Sequence, residues 1–412
     1  MSKALEEDAL ADGSVLLARQ PIFNKSQDVQ AYGLLYRSDN GSMPLEFSDE
    51  QATASVILNN YAVASSDGKT KRLPLFVKLT QSMLLSNMLP NLPQDSVIFE
   101  LLREDGISKE LLAVLRERKA QGCKFALTHF TGDKAQIPLL DLMHVVKIDL
   151  QRHDDDELKQ LVSFCKPYRV HLLADKVESQ EDFRRAVGLG FHLYQGYFLC
   201  RPVSIKGKNF GSSKVLVLEL LSELNNPAAT AQSVEQIVIN DPAMTYKILR
   251  LVNSAAFSTP KQIESISHAI SMIGMDQVKK WATLFLLSGQ SNKPVELARV
   301  MLIRARMCEL LAEMLNYPQT INFFMVGLLS QLDAMMDTDM KVLLDQIPLD
   351  NSIKEAILAR VNQKGEILTE VQHYERGEWD DMFNLLERPF YEVAYRHSLQ
   401  WADQVLMSLQ ED

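Results

Sequence analysis

The stretch FALTHFTGDK (125–134) ends a short apolar run, Phe125 to Leu127, on Thr128-His129 and then turns through Thr131-Gly132-Asp133. A buried strand whose tip opens onto a polar site ends in this way. An imidazole in that place can serve as a general base, as a metal ligand, or as the remnant of a lost site. A general base needs a nucleophile and an orienting group, and neither can be read around His129, so a hydrogen-bonded structural side chain is the expectation. The histidines at 129, 144, 153, 171, 192, 268, 373 and 397 show no HxH, HxxxH or HExxH spacing. No histidine-built metal centre is expected from them. Cys123, Cys165, Cys200 and Cys308 form no CxxC pair and read as reduced, mostly buried thiols.

The elements that position these groups change character along the chain. Up to about residue 203, strand candidates LFVKLT (75–80), VIFELL (97–102), KFALTHF (124–130), HVVKIDL (144–150) and RVHLLADKV (169–177) alternate with helical stretches at 107–122 and 154–168. Gly122 is placed to follow the first helix, and the acids at 154–156 suit the start of the second. This alternation predicts an α/β fold with a parallel sheet and polar groups at the C-terminal strand ends. SIKGKNFGSSK (204–214) reads as a linker. Beyond it strands nearly vanish. NDPAMTYKILRLVNSAAF starts with Asp241 as N-cap and Pro242 at N1, and 295–317 reads as a long amphipathic helix. The expected organisation is a flexible tail (1–14), a barrel-forming domain (15–203), a linker (204–214) and an all-α domain (215–412), with methionines filling the helical core.

Composition is that of an ordinary globular protein, 46% hydrophobic and 23% charged over 412 residues. The net charge of −10 disfavours general nucleic-acid and anionic-membrane binding. No apolar run reaches the roughly 18 residues of a membrane span, and the acidic N-terminus lacks a signal-peptide pattern, so the cytoplasm is expected.

Seven strings occur in the order found in one family. RQPIF (19–23), YGLLYR (32–37), FELL (99–102), THFTG (128–132), KIDL (147–150), ADKVES (174–179) and YQGYFLCRP (194–202) resemble the motifs of the EAL domain of cyclic di-GMP phosphodiesterases, which implies a modified TIM (β/α) barrel. INDPAMTYKILRLVNSAAF (239–257) and ISHAISMIGMDQVKKW (266–281) resemble the HDOD domain, a degenerate relative of the HD phosphohydrolases. MVGLLSQ (325–331) then puts Ser330-Gln331 where an HD enzyme has its metal-binding His-Asp pair. Together the two resemblances cover almost the whole chain and match bacterial EAL–HDOD signalling proteins.

The family's reaction uses two divalent cations, Mg²⁺ or Mn²⁺, held by oxygen ligands. Carried over position by position, the Glu of the naming motif is Gly33, the next strand's Asn is Lys78, and the bridging Asp pair is Thr128-His129. Glu100 is retained, as are Lys147 with Asp149 and the late Gln195. The glutamate expected near the attacking water is Asp175, with Glu178 close by. Lys78 is expected to pair with Glu100, a fixed internal charge replacing that of a metal. Gln20, Pro21, Arg37, Glu100, Lys147, Asp149, Asp175, Gln195 and Pro202 are the residues through which the resemblance would hold the dinucleotide. Arg37 suits a bidentate phosphate contact and Gln20 a base edge.

The expected function is non-catalytic signal transduction in motility, biofilm or stress control, without cofactor or metal. The EAL-like barrel would act as cyclic di-GMP receptor or docking module, and the HDOD domain would bind a protein partner. Two alternatives stay open: an active phosphodiesterase using Mg²⁺ or Mn²⁺ around Glu100, Asp149, Asp175 and Glu178, and a scaffold indifferent to nucleotide; a homodimer is compatible with each.

Overall fold

The computed structural model describes residues 16–37, 61, 63–66, 69–85, 96–102, 107–200, 220, 223, 226, 228–238, 253, 265–275, 280, 293–347 and 349–410. The expected tail (1–14), the linker (204–214), the Asp241-Pro242 helix start, Pro202 and the side chain of Arg37 lie outside the described residues.

Eight strands close a barrel. They are β1 (Leu16–Phe23), β2 (Val29–Arg37), β5 (Leu75–Leu79), β6 (Val97–Leu101), β7 (Lys124–Leu127), β8 (Val145–Asp149), β9 (His171–Asp175) and β10 (Leu193–Gln195), in the order β1-β10-β9-β8-β7-β6-β5-β2. Strands β3 (Val63–Ser66) and β4 (Lys69–Arg72) pair separately as a hairpin. The five strands expected from the sequence are all present, each slightly shorter than its apolar run. β1 runs antiparallel to both neighbours, and the other barrel neighbours run parallel.

Local signals set the helices between them. In α2 (Lys109–Ala120) Ser108 caps the start, its hydroxyl accepting from the Leu111 N–H, and Gly122 follows the end at φ +99. α4 (Asp155–Cys165) begins with a capping box in which Asp154 and Glu157 satisfy each other's N–H groups. The barrel also carries α1 (Gln81–Leu85), α3 (Ile137–Leu140) and α5 (Gln180–Leu189).

The described part of the second half is helical: α6 (Ala231–Val238), α7 (Ile266–Ile273), α8 (Val295–Met314), α9 (Thr320–Leu329), α10 (Leu332–Met336), α11 (Met340–Gln346), α12 (Asn351–Ala359), α13 (Asn362–Arg376) and α14 (Arg388–Gln410). Met301, Met307, Met325 and Met335 are buried, the expected core filling. The amphipathic reading of α8 needs correction, because the helix is buried on nearly every side. Its charged residues Glu296, Arg299, Arg304 and Glu309 do not face water. Arg299 pairs with Glu296 (2.9 Å) and Asp403, Arg304 with Glu375 (2.6 Å), and Glu309 with Lys280 (2.5 Å). Side chains matched inside the fold look, in sequence, like a solvated face.

The two halves share one core: Leu16, Leu34 and Tyr36 of the barrel and Tyr374, Tyr391 and Tyr395 of the helices belong to a single buried cluster. The reason lies at the seam between β1 and the three-residue β10. Only Ile22 and Phe23 find partners there, Gln195 and Tyr194. Farther along β1, tyrosines of the helical half take over. The Tyr374 hydroxyl donates to the Leu17 carbonyl (2.8 Å) and accepts from the Leu17 N–H (3.3 Å), while the Tyr395 hydroxyl accepts from the Arg19 N–H (3.3 Å). A buried strand edge without partners is costly, and the helices supply those partners.

Removing the hydroxyl in Tyr374→Phe takes this partner from both Leu17 groups and is expected to destabilise the chain by about 1–3 kcal/mol. Equilibrium urea unfolding measures this, and an unchanged midpoint would show that the seam closes by other means.

Candidate functional site

Within the barrel, Ile22, Ala31, Phe76, Ala126, Val145 and Leu173 form a cluster of their own, with Ile98 and Leu193 packed against it. Each barrel strand thus sends one residue into an apolar plug. Side chains alternate between faces along a strand, so the residue two places nearer the mouth also points inward. Those eight positions are Gln20, Gly33, Lys78, Glu100, Thr128, Lys147, Asp175 and Gln195. The structure therefore brings the sequence-derived candidates together as one ring above a dry floor.

The ring holds two ammonium and two carboxylate groups, and its best-buried pair is internal. Lys147 Nζ donates to Glu100 Oε1 at 2.7 Å, with both side chains at most 7% exposed. The expected Lys78–Glu100 pairing is corrected. Lys78 stands opposite Glu100 in the β5–β6 register, yet it is half-buried at the rim and makes no ion pair among the described residues. The small residues Ala126 and Thr128 of the intervening strand lie between Glu100 and Lys147. A fully buried ammonium has the greater need of a counter-charge. Burial alone pushes the Lys147 pKa down, but attraction to Glu100 and Asp175 and the Glu100 hydrogen bond reverse this and leave it raised. The lysine stays charged.

The other candidates are also committed. Asp149, buried one inward step nearer the mouth on β8, faces Lys176 at 2.8 Å and Arg152 at 3.3 Å and accepts from the Gln151 N–H at 3.0 Å. Asp175 lies opposite Asp149 on β9 and accepts from the Lys176 N–H. Glu178 is exposed. The Thr128 hydroxyl donates to the Leu101 carbonyl at 2.7 Å, binding one strand end to the next. His129 sits at φ +51, and its carbonyl accepts from Gln136, whose amide also holds Thr131. Burial lowers the His129 pKa, opposed by the Asp175 charge, so the imidazole is held neutral. Gln195 Nε2 donates to Gln20 Oε1 at 2.8 Å, and Gln195 Oε1, buried, has no hydrogen-bond partner among the described residues. A Cβ at Gly33 would stand 2.9 Å from Gln195 Nε2, so the amide fills the space that the motif's glutamate would enter.

This donor set does not fit a pair of divalent cations. Gly33 offers no oxygen, Glu100 and Asp149 are neutralised by side-chain cations, and Lys78 would repel a metal. Among the described residues, three His, Cys, Asp or Glu donors approach within 4.8 Å of one another at His373, Glu378 and Asp381, outside the barrel.

The Ser330-Gln331 position of the helical half follows the same logic. Arg304 Nη1 donates to the Ser330 hydroxyl at 3.0 Å, and the Gln331 amide oxygen, oriented to satisfy both residues, accepts from Arg304 at 3.1 and 3.2 Å. Glu375 completes the guanidinium's environment, accepting from Nε (3.0 Å) and Nη2 (2.6 Å). Sequence reasoning missed Arg304, Glu375 and the seam tyrosines. No local spacing marks them, because Arg304 and Glu375 lie 71 residues apart.

Residues 65–202 match the EAL domain and residues 212–342 the HDOD domain. The Bacillus subtilis protein YuxH is 28% identical over 407 residues, spanning 95% of this chain and 99% of its own. The Vibrio cholerae protein named cyclic di-GMP phosphodiesterase CdgJ is 28% identical over 368 residues, 88% of this chain and 85% of that protein. Among solved structures, an EAL domain protein from Listeria monocytogenes is 17% identical and covers 48% of this chain and 92% of its own, at a TM-score of 0.35. No helix among the described residues is long and apolar enough to cross a membrane. The chain is an EAL–HDOD protein, an EAL domain followed by an HDOD domain.

Proposed function

We propose that this EAL–HDOD chain transmits a signal without catalysing hydrolysis or using a metal: the barrel mouth receives cyclic di-GMP and the helical domain presents the output to a protein partner. The observation that carries this reading is the buried Lys147–Glu100 pair at 2.7 Å. A two-metal phosphodiesterase needs an excess of carboxylates around its cations. At this mouth the two buried acids, Glu100 and Asp149, already face an ammonium or guanidinium. Support for the nucleotide comes from the kinship with CdgJ, named a cyclic di-GMP phosphodiesterase, and from the chemistry of the mouth. Gln20 offers an amide for a base edge, Gln195 a buried acceptor, and Lys78 a half-buried cation for phosphate.

The same relative favours a second reading, hydrolysis with an atypical metal set of Glu100, Asp149, Asp175 and Glu178. It requires Glu100 to leave Lys147, and Asp149 to leave Lys176 and Arg152.

Two experiments separate the readings. Full-length protein incubated with cyclic di-GMP and Mg²⁺ or Mn²⁺ is expected to release no linear dinucleotide, and calorimetry is expected to give the same affinity with and without EDTA. Linear product that disappears in Asp149→Ala would establish the enzyme, and absence of binding heat would leave a nucleotide-independent scaffold.

The ion pair itself gives the second test. Glu100→Ala strands a buried ammonium and is expected to cost about 3–5 kcal/mol, whereas the double variant Glu100→Leu with Lys147→Met is expected to be near neutral or stabilising. Urea unfolding reads both. If Glu100 were instead one of several crowded metal ligands, its removal would relieve repulsion and stabilise the metal-free protein.

A further inference from the structure

The seam between the barrel and the helices holds a partly open cavity of about 60 Å³. Gln20, Pro21 and the turn Gly196-Tyr197 wall it on the barrel side, Arg304 and Glu375 on the helical side. The two strands that meet here also meet in the lumen, through the Gln195–Gln20 hydrogen bond. Each glutamine is followed directly by residues of the cavity wall. Lumen and cavity are therefore two sides of the same pair of strand ends.

The chain passes from Gln195 to Tyr197 through a turn that tolerates little change. Gly196 sits at φ +152, and a Cβ there would stand 2.1 Å from the Val177 carbonyl oxygen. Val177 holds the turn from within, its N–H donating to the Gln195 carbonyl at 2.9 Å and its carbonyl accepting from the Phe198 N–H at 3.1 Å. Beyond the turn, the Arg376 guanidinium lies 5.6 Å from the centre of the Tyr197 ring. Its neighbour Glu375 holds Arg304, and Arg304 holds Ser330. Side-chain contacts and chain connections thus lead from the mouth ring to the Ser330-Gln331 position.

The start of that path is poised to respond. Gln195 uses its NH₂ on Gln20 and leaves a buried oxygen that has no partner among the described residues, so a hydrogen-bond donor entering the mouth would gain a contact by turning the amide. On the opposite side, the missing Cβ of Gly33 makes the room that the amide occupies.

We propose that the Gln20–Gln195 hydrogen bond is a switch between the two domains. A ligand that engages either glutamine breaks it, loosens the 196–200 turn and shifts the Glu375–Arg304 contact, so that occupancy of the mouth is read in the HDOD domain. The identity of the ligand rests on the cyclic di-GMP reading above, but the mechanical link does not.

Cys200 lines the same cavity and reports on it, whereas Cys123 and Cys165 are buried elsewhere in the barrel. Alkylation of each thiol by N-ethylmaleimide, followed by peptide mass spectrometry on the full chain, tests the link. In Gln195→Ala the Cys200 rate is expected to rise at least about fivefold, the low end of typical coupling between sites. Gly33→Ala, which crowds the amide without removing it, is expected to change the Cys200 rate in the same direction. Cys123 and Cys165 are expected to keep their wild-type rates in both variants. The proposal is overturned if Cys200 reacts at its wild-type rate in both variants, or if Cys123 and Cys165 accelerate together with it. Added cyclic di-GMP should raise the Cys200 rate of the wild-type chain. A rate unmoved by nucleotide but raised in both variants would leave the link standing and reject the ligand.

Discussion

An eight-stranded barrel must satisfy both edges of every strand, and here one seam is too short to do so. β10 offers β1 only two partners, Gln195 and Tyr194. The hydroxyls of Tyr374 and Tyr395, from α13 and α14, complete the seam at Leu17 and Arg19. The helical half is therefore structurally part of the barrel. Buried polar contacts extend the join: Tyr61 donates to Glu392 at 2.9 Å, and the Tyr32 hydroxyl donates to Glu296 at 3.3 Å. Tyr32 and Gly33 are neighbours on β2, one facing the helices and the other the lumen, so the strand that carries the family's naming motif touches both domains.

Two buried polar centres share a physical solution. In the barrel a buried ammonium faces a buried carboxylate, Lys147 with Glu100; in the helical domain a buried guanidinium faces Glu375 and the Ser330-Gln331 pair. Buried charge must be balanced in a low-dielectric interior, and a side-chain counter-ion does this without exchange with solvent. Such a pair is costly to break from one side and inexpensive to replace whole.

Much of this was legible in the sequence, and the failures share a cause. Gly122 and the acids at 154–156 are local signals and marked helix ends correctly. The ordered motifs placed all eight ring residues, because alternation along short strands leaves little freedom once the order is known. Partner choice was not legible. Register sets Lys78 opposite Glu100, but burial selects Lys147 from two strands away, and burial depends on the whole barrel. α8 looked amphipathic because its Arg304 and Arg299 find Glu375 and Asp403 on distant helices. Tyr374 and Tyr395 resemble any aromatic residues of a helical core until the short seam gives their hydroxyls a purpose.

The central claim is that side-chain cations have taken the place of metal ions in the barrel mouth. Titration of the full chain with Mn²⁺ in the presence of cyclic di-GMP, followed by electron paramagnetic resonance, tests it most directly. The account predicts that the free-ion six-line signal persists, with no binding at the mouth tighter than about 1 mM. Stoichiometric loss of that signal, with the spin coupling of a two-ion pair and its return in Asp149→Ala, would contradict it.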